Sequence, residues 1–193
     1  MAFPPLFSNF PSGFRIIDGA YLNKLFGGNV ATTPAIQAGN STSTFNPEGV
    51  LYVNTTSTGN GADTTEDTLI TYTLPAKILS AAPKGVRITA WGNTAANADN
   101  KTMKLYFGSE VLATPTAATN NQGWWLEVDV FKTGPSTQAV FGLGQVGTTG
   151  VAPLITTGAE TDTAGIVIKL TGQAGTGNAN DIVAKALIVE MLN

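Results

Sequence analysis

Carboxylate pairs are the first residues to weigh as chemistry, because the chain contains no histidine and no cysteine. Three sets stand close in sequence: Asp63, Glu66 and Asp67; Glu127 and Asp129; Glu160 and Asp162. A glycosidase holds two carboxyl groups roughly 5 to 10 Å apart across a cleft and keeps one of them protonated. Alternate residues of a strand are about 6.6 Å apart by strand rise, so Glu127 and Asp129 meet that distance. No pattern around them marks a cleft, and the segment's alternation puts both on a water-facing strand face. Acidic loops also offer oxygens to Ca²⁺, but the ligand spacing of an EF-hand loop is absent.

The two missing residue types exclude most other catalytic designs. There is no thiolate nucleophile, no disulfide framework, no Cys-ligated zinc and no iron–sulfur cluster. There is no Ser-His-Asp triad and no imidazole ligand for a metal or haem. Two glycine motifs fare no better. Gly142-Leu-Gly144-Gln-Val-Gly147 matches G-x-G-x-x-G, but Thr148-Thr-Gly-Val-Ala-Pro153 follows where a dinucleotide site needs a helix N-terminus. Gly172-Gln-Ala-Gly-Thr-Gly177 looks like half a P-loop, but Asn178 and Ala179 stand where Lys and Ser/Thr must follow. Both read as glycine-relieved strand ends and turns. The expectation is no enzyme, no cofactor and no bound metal. Trp91, Trp124 and Trp125 remain as candidate contact residues, for a subunit, the chain's own core or a stacked sugar. Adjacent residues of a strand point to opposite faces, so at most one of Trp124 and Trp125 belongs to the core.

Charge limits the partners. Ten basic and 13 acidic residues give a net charge of −3, with 12% charged residues overall. Such a chain has no electrostatic footprint for nucleic acid. Its densest basic pair, Lys101 and Lys104, reads as a solvated face. No apolar run approaches the roughly 20 residues of a membrane helix. Met1-Ala2-Phe3-Pro4-Pro5 lacks a basic segment leading into an apolar one, so no secretion signal is read there and assembly in a cytoplasm is expected.

The elements that would position these residues fall into two parts. Residues 1–47 form an apolar arm carrying Phe3, Phe7, Phe10, Phe14, Phe26 and Phe45, interrupted by Pro4, Pro5 and Pro11. Proline fixes φ and removes donors, so the first stretch is expected to be extended. Asp18 to Phe26 reads as a short helix, capped by Asp18, with Tyr21, Leu22, Leu25 and Phe26 on one face and Gly27-Gly28 ending it. Two turns do not persist alone in water; the helix and the Phe residues need a surface to dock on. Residues 29–47 read as a linker.

From residue 48 to 193 the period is two. Leu51-Tyr-Val53, 69–74, 85–91, 102–107, 124–132, 137–146, 164–170 and 182–191 read as about eight strands. The segments 92–100, 113–123, 147–153 and 172–181 read as loops. Val86, Ile88 and Ala90 face one side, and Arg87, Thr89 and Trp91 the other. Trp124, Leu126, Val128 and Val130 should face the core, and Trp125, Glu127, Asp129 and Phe131 should face outward. The fold expected is all-β, a jelly-roll-like antiparallel β-sandwich preceded by the extended arm with its one short helix.

Two stretches carry a family likeness. Phe14-Arg-Ile-Ile-Asp-Gly-Ala-Tyr-Leu-Asn-Lys-Leu25 is similar to an element near the start of small structural proteins of tailed bacteriophages. Val86-Arg-Ile-Thr-Ala-Trp-Gly92 with Ala95-Ala-Asn-Ala-Asp-Asn-Lys-Thr-Met-Lys-Leu-Tyr-Phe-Gly108 resembles a segment of phage virion-associated β-sandwich proteins. Gly123-Trp-Trp-Leu-Glu-Val128 and Thr133-Gly-Pro-Ser-Thr-Gln138 suit the same group. The resemblance implies a non-enzymatic virion component with a jelly-roll domain, often trimeric, attached by its N-terminal part.

The function expected is that of a capsid decoration, cement or head-fibre protein, located in the virion and assembled in the bacterial host cytoplasm. The arm residues Phe3, Phe7, Phe10, Phe14, Arg15, Tyr21, Leu22, Leu25 and Phe26 would meet the major capsid or another virion protein. The sandwich would form a homotrimer. Trp91, Trp124 and Trp125 are the candidate subunit or glycan contacts. The competing expectation is a tail-associated receptor- or glycan-binding β-sandwich; neither involves nucleic acid or membrane.

Overall fold

The computed structural model describes residues 49–118 and 120–192, and the side chains of residues 151–154 lie outside that description. The expectations placed on the arm, its aromatic residues and the helix over 18–26 also lie outside the described residues. The chain divides into two compact units, Met1–Pro47 and Glu48–Asn193, and the described residues belong to the second.

Twelve strands and no helix occur among the described residues. They are β1 (Val50–Asn54), β2 (Thr58–Gly59), β3 (Asp67–Leu74), β4 (Gly85–Thr94), β5 (Asn100–Phe107) and β6 (Glu110–Ala113), followed by β7 (Thr116–Ala118), β8 (Gly123–Gly134), β9 (Thr137–Val146), β10 (Thr149–Gly158), β11 (Ile166–Ala174) and β12 (Ile182–Met191). Sheet A runs β1-β12-β4-β8-β9-β10, with β2 beside β12. Sheet B runs β3-β11-β5-β6, with β7 beside β5. Every pairing is antiparallel, and the pairs nest: β1 with β12, β3 with β11, β4 with β8, β5 with β6. The described residues form an all-β sandwich.

Alternating side chains explain the two layers. From β4, Val86, Ile88 and Ala90 are fully buried, and from β8 so are Leu126, Val128 and Val130. They face Met103, Leu105 and Phe107 of β5 and Ile168 and Leu170 of β11. Ile182–Met191 could be read as helical from Ala184-Lys-Ala186, yet it is a central strand flanked by β1 and β4. Its β-branched residues fit a pleated surface better than a helix. Tyr52 and Tyr72 stack with ring centroids 4.5 Å apart, joining β1 of one sheet to β3 of the other.

Four strands were missed by the periodicity, and two of the expected loops need correction. Residues 147–153 are not a loop. Gly147, with φ of +58°, and Thr148 make a two-residue hairpin between β9 and β10, and glycine supplies the positive φ at the first central position that such a turn requires. β10 was obscured by its Thr, Gly and Pro content. It is an edge strand whose register shifts between Val151 and Leu154, which is where Pro153, lacking a donor, is tolerated. The segment 113–123 contains β7, three residues paired to β5. β2 and β6 are too short to show a period.

Lys101 also needs correction: it is fully buried rather than on a solvated face. It takes an inward position at the start of β5. Its ammonium donates to the Asn97 carbonyl at 3.0 Å, to Asn97 Oδ1 at 2.5 Å and to the Asp99 carbonyl at 2.9 Å. Asn97 Nδ2 in turn donates to buried Asp181 at 2.6 Å. Asn60 donates to the Asn178 carbonyl and accepts from the Ile182 amide. These groups hold the loops after β2, β4 and β11 together, and hydrogen bonding offsets the cost of burying them.

Trp124 depends on one glycine. A Cβ added to Gly92 would overlap both the Val183 carbonyl oxygen and the indole of Trp124. Overpacking of this kind typically costs 1–3 kcal/mol. Gly92→Ala should therefore lower unfolding stability by about 2 kcal/mol, read as an earlier denaturant midpoint. An unchanged midpoint would contradict this packing.

Candidate functional site

The register of sheet A places its outward side chains in rows that cross the strands. One row is Ala186, Trp91, Trp125 and Gln145. The next is Val53, Ile188, Thr89, Glu127 and Leu143. A third is Glu190, Arg87, Asp129, Phe141 and Ile155. Trp91 and Trp125 are thus direct cross-strand neighbours.

Much of this face is apolar and open. Trp91 is 38% exposed, Trp125 40%, Phe141 42%, Val53 55% and Ile155 81%. Among the described residues the other exposed large hydrophobics are Val111 and Val167, both on sheet B strands. Trp124 is corrected out of the candidate contact set. It is 2% exposed in the core, because it alternates with Trp125 along β8.

Charge on the face is concentrated at Arg87. Its Nε and Nη2 donate to the two oxygens of Asp129, each at 2.8 Å. Glu127 lies 3.6 Å from Nε. Hydrogen bonding to Asp129 comes first in pushing the Arg87 pKa further up; burial opposes it, and Asp129, Glu127 and Glu190 add Coulombic support. Both carboxyl oxygens of Asp129 are thus engaged by the one guanidinium.

The outer face of sheet B is polar by contrast. Glu66 reaches over it and accepts from Lys104 Nζ at 2.5 Å, Tyr106 Oη at 2.6 Å and Thr171 Oγ1 at 2.8 Å. Lys169 Nζ lies 4.3 Å from the centre of the Tyr106 ring. The remaining acidic sets are dispersed in the same way. Asp63 accepts from Thr65, Asp67 from the Gly61 amide, and Glu160 from Ser109. Asp162 pairs with Lys132 at 2.8 Å. A hollow of about 450 Å³ lies beside that pair, lined also by Ser80, Ala82, Pro135 and Thr163; its two charged groups neutralise each other. No cluster of three or more Asp, Glu, His or Cys placed to hold a metal occurs among the described residues.

No protein-family model matches the chain, and no curated protein matches it. Among solved structures it is similar to the CBM2 module of the evolved Dit of Lactobacillus casei BL23 phage J-1. That likeness has 12% identity over 62% of this chain and 67% of that one, with a TM-score of 0.28. It is also similar to the galectin LEC-6 of Caenorhabditis elegans, at 11% identity over 61% and 89% of the two chains, with a TM-score of 0.25. Scores this low establish no shared topology.

Glu66 generates a pH prediction. Burial raises its pKa, but the hydrogen bonds from Lys104, Tyr106 and Thr171 together outweigh that and bring it from 4.5 to about 2. A depressed carboxylate stabilises the fold above its unfolded value and loses that contribution as pH falls through the folded one. The loss should fall between about pH 4.5 and 2, and amount to about 2 kcal/mol after solvent screening. Glu66→Gln should be less stable at neutral pH and show a flatter acid limb in unfolding titrations. An acid limb identical to wild type would refute this assignment.

Proposed function

We propose that this chain is a non-enzymatic structural component of a tailed-phage particle, of the capsid decoration, cement or head-fibre kind. Residues 1–47 attach it to the major capsid or another virion protein, and the sandwich is displayed as a homotrimer. The observation that carries the reading is the contrast between the two outer faces: on sheet A exposed aromatic and aliphatic side chains surround the Arg87–Asp129 pair, whereas sheet B is rich in hydroxyl and charged groups. Large exposed apolar patches mark interaction surfaces. The nested strand pairing supports reading the sandwich as a jelly roll. The place in a particle rests on the sequence resemblance.

A second reading is favoured by one observation. Trp91 and Trp125 lie side by side with Gln145, Thr89 and Glu127 next to them, an arrangement of aromatic faces and hydrogen-bonding groups that suits a glycan. A tail-associated receptor- or glycan-binding domain would use the same face.

Co-sedimentation with particles lacking the protein separates these readings. Full-length chain should bind, and residues 48–193, which carry their own core, should not. Full binding by the truncated chain would reject the attachment role. Glycan-array binding lost in Trp91→Ala and Trp125→Ala would establish the second reading instead.

A further inference from the structure

We infer that the outer face of sheet A, together with the free edge of β10, is the surface on which copies of this chain pack against one another. The inference rests on reading that face as a contact surface, and it stands apart from the phage assignment.

The extent of the face is the first argument. Six strands about 4.8 Å apart, crossed by the three rows through Trp91, Thr89 and Arg87 and a fourth of Phe131, Ala139 and Thr157, with rows about 6.8 Å apart, span roughly 24 by 20 Å, or about 500 Å² before side-chain relief. Each partner in a standard interface contributes about 800 Å², so the face and its adjoining edge approach what a stable contact between folded subunits needs. Stacking one or two sugar rings would use only the Trp91–Trp125 row. It would leave Val53, Phe141 and Ile155, on three other strands, in water.

The edge supplies the second argument. Among the described residues β10 pairs only with β9 and ends the path of sheet A. Its Ile155 has the largest exposure among the exposed hydrophobics of the described residues. An edge strand that bears an exposed Ile155 and adjoins a face with exposed aromatic side chains invites pairing with a further copy. Closed rotational symmetry with further copies covers both and stops the pairing.

Charge sets the arrangement. Arg87 is matched bidentately within its own chain, so this pair needs no counter-charge from a partner. Asp129, Glu127 and Glu190 surround the one guanidinium and leave the group net negative, which opposes laying two such groups on one another. The copies therefore meet offset from one another across the whole face, so that the Arg87 groups stay apart and the exposed Trp91, Trp125, Phe141 and Ile155 supply the apolar contact.

Light scattering on the full-length chain across a dilution series tests this. Wild type should have a mass that is a multiple of 19.9 kDa, threefold if the trimer holds. Phe141→Lys combined with Ile155→Lys should reduce it to one chain with an unchanged far-ultraviolet dichroism spectrum. Val167→Lys, on the outer face of sheet B, should leave it unchanged. A single-chain mass for wild type throughout overturns the inference, as does an unchanged mass in the folded double variant. Should the double variant misfold, Ile155→Lys alone, on an edge strand, should weaken association at least tenfold, and no weakening overturns the inference. A wild type that is oligomeric through this face yet binds no particles rejects only the phage assignment.

Discussion

The inner face of sheet A is apolar and covered by sheet B, while its outer face exposes Trp91, Trp125, Phe141, Val53 and Ile155 around the Arg87–Asp129 pair. The period-two alternation of β4 and β8 makes this unavoidable. Val86, Ile88, Leu126, Val128 and Val130 fill the sandwich, while the residues between them include Trp91, Trp125 and Phe131. A sheet in a two-layer protein usually alternates apolar with polar. Sheet B does so, with Lys104, Tyr106 and Lys169 outside and Leu105, Phe107 and Ile168 inside. The departure in sheet A is therefore local to that sheet and does not reflect the chain's composition.

Many polar groups of the described residues hold this architecture together. Glu66 ties the approach to β3 onto β5 and β11. Glu160 ties the loop after β10 to the turn after β5. Lys101, Asn97, Asp181 and Asn60 close the opposite loops. Buried polar atoms without a partner are few among the described residues: Trp124 Nε1, Asp162 Oδ2 and Asp181 Oδ2.

The parts of the fold most legible in the sequence are the runs rich in β-branched and aromatic residues and, above all, the long alternating ones. β8 announces itself by Trp-Leu-Val-Val against Trp-Glu-Asp-Phe, and this also separates buried Trp124 from exposed Trp125. β10 was illegible because an edge strand tolerates Thr, Gly and Pro, whose local meaning is a turn. Lys101 misled because a lysine pair reads as solvated, and its partners, Asn97 and Asp99, act largely through main-chain oxygens that no side-chain pattern reveals. The outer face could not be assembled from sequence at all. Val53, Arg87, Asp129, Phe141 and Ile155 become neighbours only through the order β1-β12-β4-β8-β9-β10 and its register.

Whether the outer face of sheet A is covered in the working protein can be read directly by oxidative footprinting of the full-length chain, with modification at each tryptophan quantified by mass spectrometry. Coverage predicts that Trp125 is protected nearly as well as core Trp124 in the concentrated native protein, and that its protection falls on dilution. Modification of Trp125 at the rate of a 40% exposed side chain, unchanged by concentration while Trp124 stays protected, would contradict it.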